Sequence, residues 1–278
     1  MRECKNFVLG CNSYLGVNFC RQLDPTDTLL CSRSKMDSNL SDYLSMTCDL
    51  SEQVCAPVIC SNLFLFSRPI TQHEITLDRF YRNCRILISD SLRLNPQLKV
   101  HFVSTSLVFA SNSPELLNEN SPIHLPGIYE RKKYEMELVL REISAAFPMA
   151  SFNIHRVPLL VGGLVRDSDK QRQLFYKLYS AYRAGNRWFF DSSIPNYGTS
   201  FLSVIDYSNW LKSTEFKEGF SIYLPATGHI SYRELQETFD KISFPLPIKT
   251  TMNCPSSFLY LQNNTSLKER RFEEIFTL

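Results

Sequence analysis

Glycine is scarce in this chain, with nine residues among 278, against 13 tyrosines and 20 phenylalanines. That scarcity excludes a collagen-like or linker-rich protein and gives weight to each glycine that falls in a recognisable place. No apolar run approaches the roughly 20 residues of a membrane-spanning helix. Nucleic acid would call for a basic tract, and the sequence has none. It has no acidic tail either, and its formal net charge is +2 with 21% charged residues, so neither nucleic acid nor a membrane is expected as a partner. The nine cysteines include no Cys-x-x-Cys pair of the metal-binding kind, and no metal site is expected. The apolar stretch near the N-terminus is ended by Gly10 too early for a signal peptide. The cysteines therefore read as reduced, mostly buried thiols of a cytoplasmic protein. Internal repeats and low-complexity linkers are also lacking.

What is present is an alternation of short apolar runs and longer amphipathic stretches. Phe7-Val8-Leu9, Thr28-Leu29-Leu30-Cys31, Leu63-Phe64-Leu65-Phe66, Val100-His101-Phe102-Val103 and Phe152-Asn153-Ile154 read as buried strands. Leu15, Phe19 and Leu23 mark one face of a helix, and further helices are expected over residues 77–94 and 129–143. This pattern predicts an α/β fold, a parallel sheet with helices on both faces. The character changes after Gly162-Gly163, where the chain turns polar and then less regular. The expected division is residues 1–163 as the main domain and 164–278 as a smaller portion interleaved with it.

Tyr129 and Lys133 form the only Tyr-x-x-x-Lys in the chain. On a helix, residues four apart share a face, and an ammonium beside a phenol favours the tyrosinate. Such a phenol can pass a proton to or from a carbonyl or alcohol oxygen. Gly10 and Gly16 bracket the first strand-to-helix turn, where glycines allow a tight bend and close approach of a phosphate. Two glycines also suit an ordinary turn of this kind, and the loop alone leaves both readings open.

These residues together resemble the extended short-chain dehydrogenase/reductase family, in its NAD(P)-dependent epimerase/dehydratase type, over nearly the whole chain. The family's Gly-x-x-Gly-x-x-Gly is matched at Gly10 and Gly16 and departs at Ser13. Asp49 resembles the acidic residue that contacts adenine, and Asn83 a helix asparagine. In Ser104-Thr105-Ser106-Leu107-Val108-Phe109, Thr105 matches the catalytic hydroxyl, and Tyr129 and Lys133 follow at the family's spacing. Ile154-His155-Arg156-Val157-Pro158 resembles the segment after the catalytic helix, and Phe201-Leu202-Ser203-Val204-Ile205-Asp206 a strand of the substrate region. The resemblance implies a Rossmann-type doubly wound sheet, the catalytic set Thr105, Tyr129 and Lys133, and a dinucleotide held by Gly10, Ser13, Tyr14, Leu15, Gly16, Arg33, Asp49, Leu50, Ser67, Asn83, Tyr129 and Lys133.

Within the family, Ser104-Thr105 followed by Val108-Phe109 is closest to the dTDP-4-dehydrorhamnose reductase type. Ser106 and Leu107 stand where dehydratases carry Asp-Glu. Arg33, beyond the second strand, can pair with the 2′-phosphate of NADP. The expectation is thus NADPH-dependent reduction of a keto group on a nucleotide-activated sugar, with Tyr129 as general acid. The alternatives are an NAD-dependent nucleotide-sugar epimerase and a non-catalytic NADP-binding subunit. Besides Ser13, two departures stand out. Ser67-Arg68-Pro69 occupies a turn usually made of small residues, and no arginine accompanies Thr199-Ser200-Phe201, although Arg183 and Arg187 lie upstream. His124, His155 and the run Trp188-Phe189-Phe190 read as structural. Family analogy further implies a homodimer through helices around residues 79–94 and 132–143.

Overall fold

The computed structural model describes residues 3–33, 38–50, 52–66, 74–109, 116–125, 127–166, 174–185, 198–241 and 261–275. Strands β1 (Glu3–Leu9), β2 (Thr28–Ser32), β3 (Leu44–Thr47), β4 (Ile59–Leu65), β5 (Lys99–Thr105), β6 (Ser151–Val157) and β9 (Gly219–Tyr223) form one sheet in the order β3-β2-β1-β4-β5-β6-β9. All of its pairings are parallel. A second sheet, in the order β10-β8-β7, joins β7 (Leu159–Val161), β8 (Gly198–Ser203) and β10 (Gly228–Ser231). The strand order reverses between β1 and β4, which opens a crevice at the carboxyl ends of those strands.

The apolar runs are continuous because both faces of the large sheet are covered. Successive side chains alternate between two cores. Phe7, Leu9, Leu63, Leu65, Val100, Phe102, Phe152 and Ile154 pack on one side with α2 (Glu74–Leu94) and α3 (Ile128–Ala146). Val8, Leu30 and Phe64 face the other way, against α1 (Tyr14–Cys20) and the helix Val204–Ser213. In α2, Phe80, Cys84, Leu87, Ile88 and Leu92 recur at helical spacing and are buried. Complete burial of such a side chain contributes about 1.5–3 kcal/mol, so the two cores dominate the stability of the sheet.

The expected strands and helices are all found, with small shifts at their ends. Leu23 lies in the turn after α1, which ends at Cys20. The chain around Phe201 is a strand only to Ser203, whose hydroxyl then caps the next helix by accepting from Asp206 N at 3.3 Å. The expectation of uniformly reduced cysteines is corrected. Cys48 and Cys55 are paired as a disulfide. Asp49 O accepts from both Glu52 N and Gln53 N at 2.9 Å, and this reversal of the chain brings the two Cα atoms to 6.0 Å. Cys4, Cys11, Cys20, Cys31, Cys60 and Cys84 are unpaired.

His155 is structural, as expected. His101 Nδ1 and His155 Nε2 lie 3.4 Å apart, buried in the sheet. Phe64 stacks on His101 and Tyr223 on His155, while Phe216, Trp210 and Tyr207 close the cluster. Burial lowers His155 from 6.5 to about 3, and burial with the neighbouring His155 lowers His101 in the same direction. The folded-state pKa thus lies below that of the unfolded chain. Between these values only the unfolded chain takes up the proton, so stability is full above about pH 6.5 and falls as the pH drops. Urea unfolding should show a loss of about 2 kcal/mol at pH 5 from His155 alone. His155→Phe, which keeps a ring in the stack, should flatten that dependence.

Candidate active site

The candidate residues cluster at the carboxyl ends of the strands. Gly10 follows β1, Arg33 follows β2, Asp49 and Leu50 lie just beyond β3, and Thr105 ends β5. Such strand ends are where open α/β sheets bind ligands.

Gly10 has φ +86° and donates its N–H to Cys31 O at 2.9 Å, a turn that favours glycine. Gly16 is required for a different reason. A Cβ there would meet Gly10 O at 2.3 Å and Cys11 O at 2.9 Å. Ser13, where the family pattern has glycine, sits at φ −73° and ψ 160° and needs no glycine. Its hydroxyl caps α1, accepting from Gly16 N at 2.9 Å, so the side chain is turned back onto the helix. Tyr14 and Leu15 are buried, and the Tyr14 hydroxyl donates to Gly162 O.

Two residues missed at the level of sequence tie this loop to the chain after β7. Asn18 Nδ2 donates to Leu164 O at 3.0 Å, and Asn18 Oδ1 accepts from Leu164 N at 2.7 Å. Arg166 Nη2 donates to Asn12 O at 2.6 Å. Neither belongs to a recognisable motif, and only the polar stretch after Gly163 hinted at them. At the other end of the crevice, Asn83 Nδ2 donates to Leu50 O at 2.7 Å. Its side chain thus holds the Asp49-Leu50 turn. Arg33 is half-buried directly after β2. Ser67-Arg68-Pro69, Arg187 and Trp188-Phe189-Phe190 lie outside the described residues. Arg183 ends the helix Leu174–Arg183 and is exposed, as His124 is.

Tyr129, Lys133 and Glu137 follow one another at four-residue spacing on α3. Lys133 is buried, and its Nζ donates to Val103 O at 2.7 Å. The same Nζ stands 4.7 Å from the Phe102 ring centroid and 6.0 Å from that of Tyr129. The ammonium is therefore fixed on the strand that ends two residues later in Thr105. Thr105 Oγ1 accepts from Leu107 N at 3.2 Å, which leaves its O–H to donate elsewhere. Ser104 points to the opposite face and donates to Glu137. From α2, Tyr81 lies in the field of Tyr129, and its phenol is raised by burial first and then by Tyr129, Cys84 and Glu135. Cys84, buried in α2, is pushed up to about 12 by burial, against the lowering effect of Lys133.

Glu137 also accepts from Arg156 Nη2 at 2.7 Å and Nε at 3.1 Å, with both side chains 3% exposed. The guanidinium lies 4.8 Å from the Phe109 centroid. Arg156 Nη1 has no hydrogen-bond partner among the described residues. This ion pair joins α3 to β6, and Ser104 extends it to β5.

Neither a family model nor a curated protein matches this chain. Solved structures do. The UDP-Glc/GlcNAc 4-epimerase from Campylobacter jejuni is 19% identical, with a TM-score of 0.69, covering 97% of this chain and 95% of its own. UDP-N-acetylglucosamine 4-epimerase from Methanobrevibacter ruminantium M1, solved with UDP-N-acetylmuramic acid, is 16% identical, with a TM-score of 0.74 over 99% and 96%. The dTDP-glucose 4,6-dehydratase from Streptomyces venezuelae, solved with NAD, is 13% identical, with a TM-score of 0.72 over 98% and 94%. At these identities the likeness shows the fold. The chain shares with these structures a Rossmann-type fold, a parallel sheet flanked by helices. Among the described residues, no helix is long and apolar enough to cross a membrane.

Substitutions at the loop and the ion pair follow from this geometry. Ser13→Ala should destabilise by about 1 kcal/mol and Ser13→Gly by only a few tenths. Gly16→Ala, which drives a Cβ into backbone, should lose about 1–3 kcal/mol. Glu137→Ala leaves Arg156 buried without its partner and should lose about 3–5 kcal/mol. Denaturant unfolding at neutral pH measures all four.

Proposed function

We propose that the chain is an NAD(P)-dependent oxidoreductase or epimerase acting on a nucleotide-activated sugar, with epimerisation as the leading reading. The carrying observation is the placement of Lys133, held by Val103 O beside the Tyr129 ring, on the strand that ends in Thr105. The named activities of the structural relatives support epimerisation more than the keto reduction expected from sequence.

The residues at hand fit a dinucleotide. Gly16 leaves the space that a Cβ would fill against Gly10 O. Backbone N–H groups of Tyr14 and Leu15 would hold the pyrophosphate, with Gly10 and Gly16 letting it approach the turn closely, Asp49 and Leu50 the adenine, and Lys133 the nicotinamide ribose. When bound, the cofactor supplies reversible hydride transfer at a sugar carbon. Tyr129 moves the proton at the oxygen on that carbon. Lys133 favours the tyrosinate by placing a positive charge one turn away. Thr105 donates its free O–H to the same oxygen. Asn83 acts through Leu50, whose carbonyl it holds.

The second reading is NADPH-dependent reduction, and the observation that favours it is Arg33 at the end of β2. A homodimer through α2 and α3, which expose Ile86 and Leu138, belongs to either reading, as does cytoplasmic residence.

Tyr129→Phe should lower kcat by about 10²–10⁴-fold while a fluorescence titration shows dinucleotide binding nearly unchanged. A wild-type protein that binds neither NADH nor NADPH would overturn the reading. Arg33→Glu should weaken NADPH far more than NADH. Equal losses for both would remove Arg33 from cofactor selection. Product analysis on UDP- and dTDP-sugars separates the two reactions, because an epimerase converts its substrate without net NADPH consumption.

A further inference from the structure

Three sulfurs meet near the carboxyl ends of β2 and β3. Cys48 and Cys55 are joined across a sequence separation of seven. Cys31 Sγ, on β2, lies 3.8 Å from Cys55 Sγ. The two strands are tied at this point, since Cys48 N donates to Ser32 O at 3.0 Å. All three side chains are buried. The other described cysteines are unpaired, so the chain is not built as a disulfide framework. One pairing beside a third thiol is an arrangement for exchange, because a disulfide is opened by an adjacent thiolate.

We propose that Cys31, Cys48 and Cys55 form a thiol–disulfide site with Cys55 as the shared sulfur, oxidised by low-molecular-weight disulfides, reduced by dithiols, and coupled to the affinity for the adenine half of the dinucleotide. The sulfur chemistry stands by itself; the coupling rests on the proposed function. In oxidation, the Cys55 thiolate attacks one sulfur of the small disulfide and releases one thiolate. The Cys48 thiolate then attacks Cys55 Sγ and releases the second. Two protein thiols are oxidised, one small disulfide is reduced to two thiols, and the two protons pass to the released thiolates. In exchange, the Cys31 thiolate attacks Cys55 Sγ and Cys48 leaves with the proton, without net oxidation. Burial pushes the Cys31 thiol up to about 12, which makes Cys31 a slow attacking thiol at neutral pH.

The coupling follows from what the ring encloses. Asp49 and Leu50 lie between the paired cysteines, and no helix or strand forms among the described residues between Thr47 and Ile59. The turn is held by two hydrogen bonds to Asp49 O, one from Asn83 to Leu50 O, and the covalent closure. Access comes by local opening of this segment, whose Glu52, Gln53 and Val54 are exposed. Reduction removes the closure and loosens the turn that presents Asp49 and Leu50.

The test treats the full chain with oxidised glutathione or with dithiothreitol, then counts thiols by maleimide mass tagging and maps disulfides by peptide mass. The oxidised protein should show two fewer thiols and a Cys48–Cys55 link. Cys48→Ser should form a Cys31–Cys55 link instead, and Cys55→Ser should form neither. ADP-ribose should bind roughly 5- to 10-fold more weakly to the reduced protein, while nicotinamide mononucleotide binds both states alike. Absence of the link in wild type, or of the Cys31–Cys55 link in Cys48→Ser, overturns the site. Equal ADP-ribose affinity in both states, with the link formed, overturns the coupling. An oxidised protein that carries the link but binds no ADP-ribose overturns the dinucleotide reading and the coupling with it, and leaves the sulfur site in place.

Discussion

The buried ion pair between Glu137 and Arg156 sets the rotation of α3 on the sheet, and the candidate site depends on that rotation. A helix packed by apolar side chains alone can turn about its axis with little penalty. A carboxylate that must meet a guanidinium from β6 and a hydroxyl from β5 cannot. Taking two charges out of water is expensive, and an apolar pair of the same shape is often as stable. The pair is better explained by geometry than by stability. Glu137, Lys133 and Tyr129 stand at successive turns of one face, so fixing the first aims the other two. Lys133 adds a second anchor at Val103 O, and cation–π contacts with Phe102 and Phe109 accompany the two cations.

The large sheet was legible because its strands are buried on both faces. Continuous apolar runs such as Leu63-Phe64-Leu65-Phe66 leave little ambiguity when amphipathic stretches separate them. The strand β3 was not legible: Leu44–Thr47 is largely exposed, and its alternation of Leu44 and Met46 with Ser45 and Thr47 spans only four residues. Its pairing with β2 comes from position, since it continues the sheet edge. In the small sheet only β8 was expected, through the family resemblance around Phe201. Its other strands, β7 and β10, are short and lie far apart in the chain, so only tertiary contact defines them. Ser203 shows the limit at element ends, where one hydroxyl turns an apparent strand into a helix start.

The glycine loop divides in the same manner. Gly10 and Gly16 could be read from spacing, and the structure supplies a separate reason for each, a positive φ and a backbone only 2.3 Å from a built Cβ. Ser13 looked like a defect in the pattern. Its extended backbone conformation and its bond to Gly16 N instead make it a cap, which serine performs better than glycine. The contacts of Arg166 with Asn12 and of Asn18 with Leu164 span about 150 residues of sequence, and no local pattern encodes them. The pairing of Cys48 with Cys55 was missed for a related reason. Spacing alone does not reveal that Asp49 O collects two N–H groups and folds the segment back on itself.

Arg33 and the NAD held by a structural relative point to different cofactors, yet the physics of the position reconciles them. At the end of the second strand, a carboxylate bonds the ribose hydroxyl of NAD and repels the 2′-phosphate of NADP. The converse does not hold. An arginine gains a charge-assisted pair with the phosphate, but it carries no repulsion toward a neutral hydroxyl. Exclusion therefore runs one way, and on the proposed function Arg33 would admit NAD while favouring NADP. The proposed epimerase and the proposed reductase then differ less in what the adenosine end accepts than in the fate of the hydride, because Tyr129, Lys133 and Thr105 would move the same proton in both. On the proposed function, what separates the reactions would lie where the sugar is held, in the expected substrate portion after residue 163.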